Sequence, residues 1–124
     1  MSFFELRIYE VFEGQTEKWV KYFNEEIIPF QTQRGMVIHG AFNVVSTDTF
    51  SLVQNERVMD THQHPNIFTW IRRFEDVTHK EKLYKRVYES KEWLNDYRPK
   101  ISTMINLDTV IVHNLSALEM SVMK

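Results

Sequence analysis

The segment Ile67 to Phe74 alternates as a strand does, yet both of its faces are apolar. Phe68, Trp70, Arg72 and Phe74 fall on one side, and Ile67, Thr69, Ile71 and Arg73 on the other. Side chains along a strand point alternately to opposite faces, so each face needs its own cover. A layer of helices supplies one cover. The other must come from elsewhere, and that requirement limits the architectures open to a chain of 124 residues.

The flanking segments carry equally readable patterns. From Phe4 to Val11, the side chains Phe4, Leu6 and Ile8 alternate with Glu5, Arg7 and Tyr9, which predicts a strand. Beyond Gly14 and Thr16, Trp19, Val20, Phe23, Ile27 and Phe30 recur at helical spacing. Pro29 lacks a backbone N–H, so the helix is expected to kink or end early, and Gly35 is a suitable C-cap. Met36, Ile38, Gly40 and Phe42 alternate with Val37, His39, Ala41 and Asn43 as a second strand. Ser46 to Pro65 reads as a loop with an extra edge strand at Phe50 to Val53. Asp76 can cap a helix whose apolar stripe is Val77, Leu83, Tyr84, Val87 and Tyr88. Ser90 can cap a further segment carrying Trp93, Leu94 and Tyr97, broken or kinked at Pro99. Asp108 to Asn114 is the last strand.

The order β-α-β-loop-β-α-α-β predicts one α+β domain over residues 1–124, of the ferredoxin-like βαββαβ type. Its four-stranded antiparallel sheet would carry the helices on one face. A second sheet from another copy of the chain is the simplest cover for the other face, so a homodimer through sheet faces is expected. The alternative is that the Ser46 to Pro65 segment folds over it.

Composition narrows the function classes. The net charge of −2 provides no field to attract nucleic acid or an anionic membrane surface. No cysteine is present, which excludes disulfides, thiolate metal sites and cysteine nucleophiles and fits a cytoplasmic location. No apolar run approaches the roughly 18 residues of a membrane helix. With three glycines there is no phosphate-cradling loop, and neither a nucleophile elbow nor an HExxH motif occurs, so no cofactor is expected.

Several stretches resemble one known family. Glu5-Leu6-Arg7-Ile8-Tyr9 is similar to the ELR-x-Y opening strand of NIPSNAP proteins. Gly35-Met36 followed by Gly40-Ala41-Phe42 resembles their second strand. Phe68 to Phe74 looks like the F-x-W-x-R-x-F strand of a bacterial branch, with Tyr88, Trp93, Arg98 and Thr103-Met104 at matching spacing downstream. The segment from Leu52 to His64 is longer than the family's usual turn, and Phe12-Glu13-Gly14 stands in place of a Pro-Gly. The resemblance implies a ferredoxin-like subunit pairing into a dimeric α/β barrel. That superfamily includes cofactor-free monooxygenases, isomerases and haem-degrading enzymes, while NIPSNAP members have no agreed activity. Fold alone does not choose among these.

The candidate ligand-binding residues are Arg7, Tyr9, His39, Trp70 and Arg72, with His39 and Tyr9 the candidate proton carriers. Two arginines beside Trp and Tyr suit a planar carboxylate or phenolate, held by charged hydrogen bonds and stacked on the rings. The structural alternative pairs Arg7 or Arg72 with Glu5 or Glu10 in a bridge. Asp60, His62 and His64 lie close together, but a solvated loop explains them better than a metal site. His79, Lys80, Glu81, Lys82, Lys85 and Arg86 read as a solvated helix face, and His79 and His113 as structural histidines. Tyr84, Tyr88 and Trp93 could line a pocket between helix and sheet, although aromatic residues at helical spacing are more often plain core. Three functions fit this pattern: a homodimer binding a small aromatic or acidic molecule, a cofactor-free monooxygenase or isomerase, and a protein-interaction module.

Overall fold

The computed structural model describes residues 1–44 and 66–124, together with the backbone of two strands at 51–54 and 57–60. Strands β1 (Phe3–Glu10), β2 (Val37–Asn43), β5 (Ile67–Phe74) and β6 (Ile111–Leu115) form one antiparallel sheet in the order β2-β5-β1-β6. The ferredoxin-like arrangement expected from the sequence is therefore present. Strands β3 (Ser51–Gln54) and β4 (Arg57–Asp60) pair with each other in a separate two-stranded sheet. This corrects the expected edge strand. Two residues separate the pair in sequence, so closing a local hairpin costs far less chain entropy than reaching a distant sheet edge.

Two helical layers cross the sheet, and both are interrupted. Helix α1 (Thr16–Tyr22) passes through a π turn at Phe23–Ile27 into α2 (Ile28–Thr32). Helix α3 (Val77–Tyr88) is followed by a second π turn at Trp93–Tyr97, which leads into α4 (Arg98–Ile101). In both cases the proline, Pro29 or Pro99, is the second residue after the widened turn. A proline inside an α-helix has no N–H and collides with the carbonyl four residues back. It is tolerated in a first helical turn, where the N–H has no partner inside the helix. The expected kink at Pro29 is thus a local widening, with the backbone path continuing beyond it. Asp76 caps α3 as expected, its side chain accepting from the His79 N–H at 2.7 Å.

The helices cover the Phe68/Trp70/Arg72/Phe74 face. Under them lie two clusters, one around Tyr9, Trp19, Phe23, Phe68, Trp70 and Ile105, the other around Phe30, Met36, Phe74, Leu83 and Val87. The opposite face carries Phe4, Leu6 and Ile8 opposite Leu115, His113 and Ile111, and Ile67 and Ile71 of β5. Much of it is open: Phe42 is 57% and Ile111 48% exposed. The C-terminal tail runs over one end of this face beside Phe4 and Ile71, where Arg73 Nε donates to the Lys124 backbone oxygen at 2.8 Å. Leu118, Met120 and Val122 of the tail are nonetheless almost fully exposed. Among the described residues no helix is long and apolar enough to cross a membrane.

Gly14 and Gly35 both have positive φ, at 80° and 100°. A Cβ at Gly14 would meet open space, whereas one at Gly35 would lie 3.0 Å from Leu83 Cδ2 in the second core cluster. Gly14→Ala is expected to cost about 1 kcal/mol from backbone strain alone. Gly35→Ala should cost clearly more, because Leu83 must also move. Urea denaturation of the two variants side by side checks the order, and equal losses would show that the core yields freely there.

Candidate functional site

The antiparallel register of β1 and β5 sets Glu5 opposite Arg72, Arg7 opposite Trp70 and Tyr9 opposite Phe68, all facing the helices. A carboxylate and two guanidiniums are thereby carried under the helical layer. Glu5 and Arg72 have no exposed side-chain surface at all. Glu5 Oε1 accepts from Arg72 Nε at 2.9 Å, Arg72 Nη2 at 2.7 Å and Arg7 Nε at 2.7 Å. Its other oxygen accepts from the Tyr84 hydroxyl and lies 2.8 Å from Lys80 Nζ.

The two arginines differ in what they have left to give. Arg72 Nη1 donates to Gln31 Oε1 at 2.9 Å and to the Tyr88 hydroxyl at 2.7 Å, and Nη2 also donates to the Tyr84 hydroxyl at 3.0 Å. With its two bonds to Glu5, every one of the five N–H donors has an acceptor. Its guanidinium also lies over the Trp70 ring, 4.6 Å from the centroid. Arg7 donates through Nε to Glu5 and through Nη2 to the Tyr84 hydroxyl at 2.7 Å. Its Nη1 reaches only a long 3.5 Å contact with the Tyr9 hydroxyl. Arg7 is 20% exposed and, among the described residues, keeps N–H groups without a partner.

The charges in this network are strongly held. Burial by itself would push the Glu5 carboxyl up, but the charges of Arg72 and Arg7 and the hydrogen bonds from Lys80 and Tyr84 outweigh it. Together they hold it well below the usual carboxylate range. Burial pushes Tyr84 up to about 12, against the pull of Arg72 and Arg7. Tyr9 is also pushed up by burial, with Arg7 drawing the other way, so its phenol stays protonated at neutral pH.

Beside the network lies a cavity of about 260 Å3 between sheet and helices. Trp19, Phe23, Trp70 and Trp93 wall it, and Arg7, Tyr9, Gln31, Tyr88 and Arg98 supply its polar atoms. Among the described residues no carboxylate lines it. The indole N–H groups of Trp19 and Trp70 are buried and have no hydrogen-bond partner among the described residues. Both π turns contribute wall residues, Phe23 and Ile27 from the first and Trp93 from the second.

Four of the five sequence-predicted residues, Arg7, Tyr9, Trp70 and Arg72, meet on this one side of the sheet. His39 does not join them. A register shift between Ile38 and Gly40 marks a bulge in β2, and the exposed His39 packs edge-on against Phe4 of the opposite face, with ring centroids 5.2 Å apart. Arg72 is not a wall of the cavity, and its bridge is to Glu5 within one subunit. Of the three aromatic residues read as core or as a pocket wall, Tyr88 and Trp93 border the cavity, and Tyr84 belongs to the ion network. Lys80, read as part of a solvated face, instead reaches over Phe74 and Tyr84 to Glu5. His79 is structural, its Nδ1 accepting from the Glu75 N–H at 3.0 Å. Trp19, Gln31 and Arg98 escaped the sequence reading because they look like ordinary helix residues; three tryptophans in so short a chain were the available signal. His62 and His64 lie outside the described residues, among which no group of acidic and histidine side chains is arranged to hold a metal.

A four-stranded antiparallel sheet in the order β2-β5-β1-β6 with helices over one face defines a ferredoxin-like α+β fold. Solved structures give that class a closer identity: the chain has the fold of NIPSNAP family proteins. One from Agrobacterium tumefaciens matches with a TM-score of 0.75 at 18% identity, covering 100% of both chains. A second from the same organism, a NIPSNAP family protein with unknown function, matches at 0.75 and 18% identity, over 99% of this chain and 94% of that one. An uncharacterized NIPSNAP-like domain protein from Burkholderia xenovorans matches at 0.73 and 17% identity, over 97% and 88%. No family model and no curated protein matches the chain. The resemblance read from the first and third sequence strands thus holds for the fold of the whole chain.

Because folding lowers the Glu5 pKa, the carboxylate stabilises the fold above its unfolded pKa of about 4.3. That contribution is lost as pH falls from there towards the much lower folded value. Glu5→Gln, which strands the Arg72 charge, is expected to cost about 3–5 kcal/mol at pH 7. The gap between wild type and variant should shrink as the pH is lowered from 5 to 2 in denaturant titrations. A gap that does not change with pH would mean that Glu5 carries no charge in the folded protein.

Proposed function

We propose that the chain is a NIPSNAP-type homodimer in which each subunit holds one small aromatic or acidic molecule between its sheet and its helices. The observation that carries this reading is the imbalance of charge and donors at the cavity. Three cations, Arg7, Arg72 and Lys80, converge on the single carboxylate of Glu5, and Arg98 adds a fourth charge at the cavity wall. Arg72 serves to position the others, and Arg7 is the cation with donors to spare. An anion beside Arg7 would balance charge that the protein leaves uncompensated.

Size and wall chemistry support an aromatic body for that anion. A dry apolar cavity of about 150 Å3 accommodates benzene, and drug-sized ligands occupy roughly 300–1,000 Å3. A volume of about 260 Å3 falls between them and suits one substituted ring. Trp19, Phe23 and Trp70 offer ring faces and edges for contact with it.

A second reading, a cofactor-free monooxygenase or isomerase, draws support from Tyr9. Its protonated hydroxyl lies at the cavity wall within 3.5 Å of Arg7, the arrangement a proton donor to a bound oxyanion requires. The dimer draws support from the open apolar sheet face, on which Phe42, Val37 and Ile111 are 57%, 47% and 48% exposed.

Native mass spectrometry of the purified protein is expected to report two subunits and, with benzoate added, one bound anion per subunit. Arg7→Gln should weaken benzoate binding at least tenfold, read by quenching of the cavity tryptophans, while the dimer persists. Undiminished binding by Arg7→Gln would remove the anion site from this cavity. Phe42→Glu combined with Ile71→Lys should convert the dimer to a folded monomer in sedimentation velocity. A variant that stays dimeric would place the subunit contact elsewhere.

A further inference from the structure

One hydroxyl in the cavity wall has its hydrogen bonds fixed in a single direction. A tyrosine oxygen can accept two hydrogen bonds and donate one. Tyr88 accepts from Arg72 Nη1 at 2.7 Å and from Gln31 Nε2 at 3.4 Å. The Gln31 amide cannot turn over to take the Tyr88 proton instead. Its oxygen accepts from Arg72 Nη1 at 2.9 Å, and the reversed amide would set two donors face to face at that distance. Both accepting positions of Tyr88 are therefore filled, and its own proton has no acceptor among the described residues. In the cavity, that proton meets either water or an incoming acceptor.

Tyr84 makes the contrast. It accepts from Arg72 Nη2 at 3.0 Å and from Arg7 Nη2 at 2.7 Å, but it donates to Glu5 and is not a wall of the cavity. Tyr88 does line the cavity, its ring centroid 4.9 Å from those of both Tyr84 and Trp93. Arg72 thus holds the Tyr88 oxygen on one nitrogen and, on the next, the Tyr84 oxygen that also takes the head group of Arg7. Tyr88 is near enough to Arg7 to bear on its ionisation. Arg7 and Tyr88 border the same cavity, and among the described residues each has a donor left over.

We infer that the Arg7 guanidinium and the Tyr88 hydroxyl jointly receive one ionised oxygen on an aromatic ligand, a phenolate or a carboxylate, with Arg72 and Gln31 as the positioning residues that commit the Tyr88 hydroxyl to donating. This rests on the anion-binding reading above and adds a second donor and the ionisation state of the ligand. Hydrogen bonds from these two groups are stronger to an ionised oxygen than to a neutral one. Binding therefore lowers the ligand's own pKa, its proton passing to solvent.

Absorbance titration of the full chain with 4-nitrophenol tests this, because its phenolate is yellow and its neutral form is not. Bound to the wild type, it should ionise at least one pH unit below the free compound, a tenfold preference for the phenolate. Tyr88→Phe keeps the ring and removes the hydroxyl. It should reduce that shift by about half or more and weaken benzoate binding about tenfold in calorimetry. Tyr88→3-fluorotyrosine keeps the hydroxyl and makes it a stronger donor, so it should deepen the shift. A wild-type complex in which the probe ionises at the pH of the free compound would overturn the inference and leave the anion site standing. Equal shifts in the wild type and both variants would overturn it as well, by assigning the ligand oxygen to other donors. Failure of both benzoate and 4-nitrophenol to bind would sink the anion site itself, and this inference with it.

Discussion

The contact between Glu5 and Arg72 is the constraint around which this subunit is organised. It joins the two central strands of the sheet, is sealed from water on both sides, and recruits Arg7, Lys80, Tyr84, Tyr88 and Gln31 from β1 and both helical layers. A buried pair of this kind is not automatically more stabilising than apolar packing of the same volume. Its effect is on choice of structure. A slip of one residue between β1 and β5 would turn Glu5 to the opposite face and abandon Arg72 under the helices. The network thus penalises other registers far more than a purely apolar face would.

The same network divides labour between two arginines that the sequence presents as equals. Arg72 is saturated by its neighbours and holds Glu5, Tyr84, Tyr88 and Gln31 in place. Arg7 shares the carboxylate but retains N–H groups at the cavity wall. Excess positive charge is tolerable in so buried a place because Glu5 and several phenol oxygens face it, and because Lys80 and Arg7 keep some contact with water. The π turns serve the same end. Each places a proline where a helix can accept it and sets wall residues of the cavity on the widened segment.

Much of this could be read beforehand. The four sheet strands, the cap at Asp76, the interruptions at Pro29 and Pro99 and the pairing of β1 with β5 all follow from alternation, capping chemistry and the geometry of proline. That Arg7 shares a face of its strand with Tyr9, and Trp70 with Arg72, was also legible from period-two alternation, whereas the register that sets all four on one side of the sheet was not. His39, two residues on from Val37, stands with it on the open side, and alternation within one strand does not say which side of the sheet its residues face. Lys80 was taken for a solvated residue because sequence spacing shows where a stem starts and not how far its ammonium reaches.

The sequence by itself determined the class of fold, since alternating and helical patterns are local and each segment carries its own. It also determined that one sheet face would be left open, because two helical layers can cover only one side. Tertiary structure alone decided which face the helices chose, which arginine was spent on the fold, and which indoles were left with a free N–H. Those outcomes depend on distances between segments far apart in the chain. Burial makes each unmet donor or charge costly only once the surrounding side chains have closed over it.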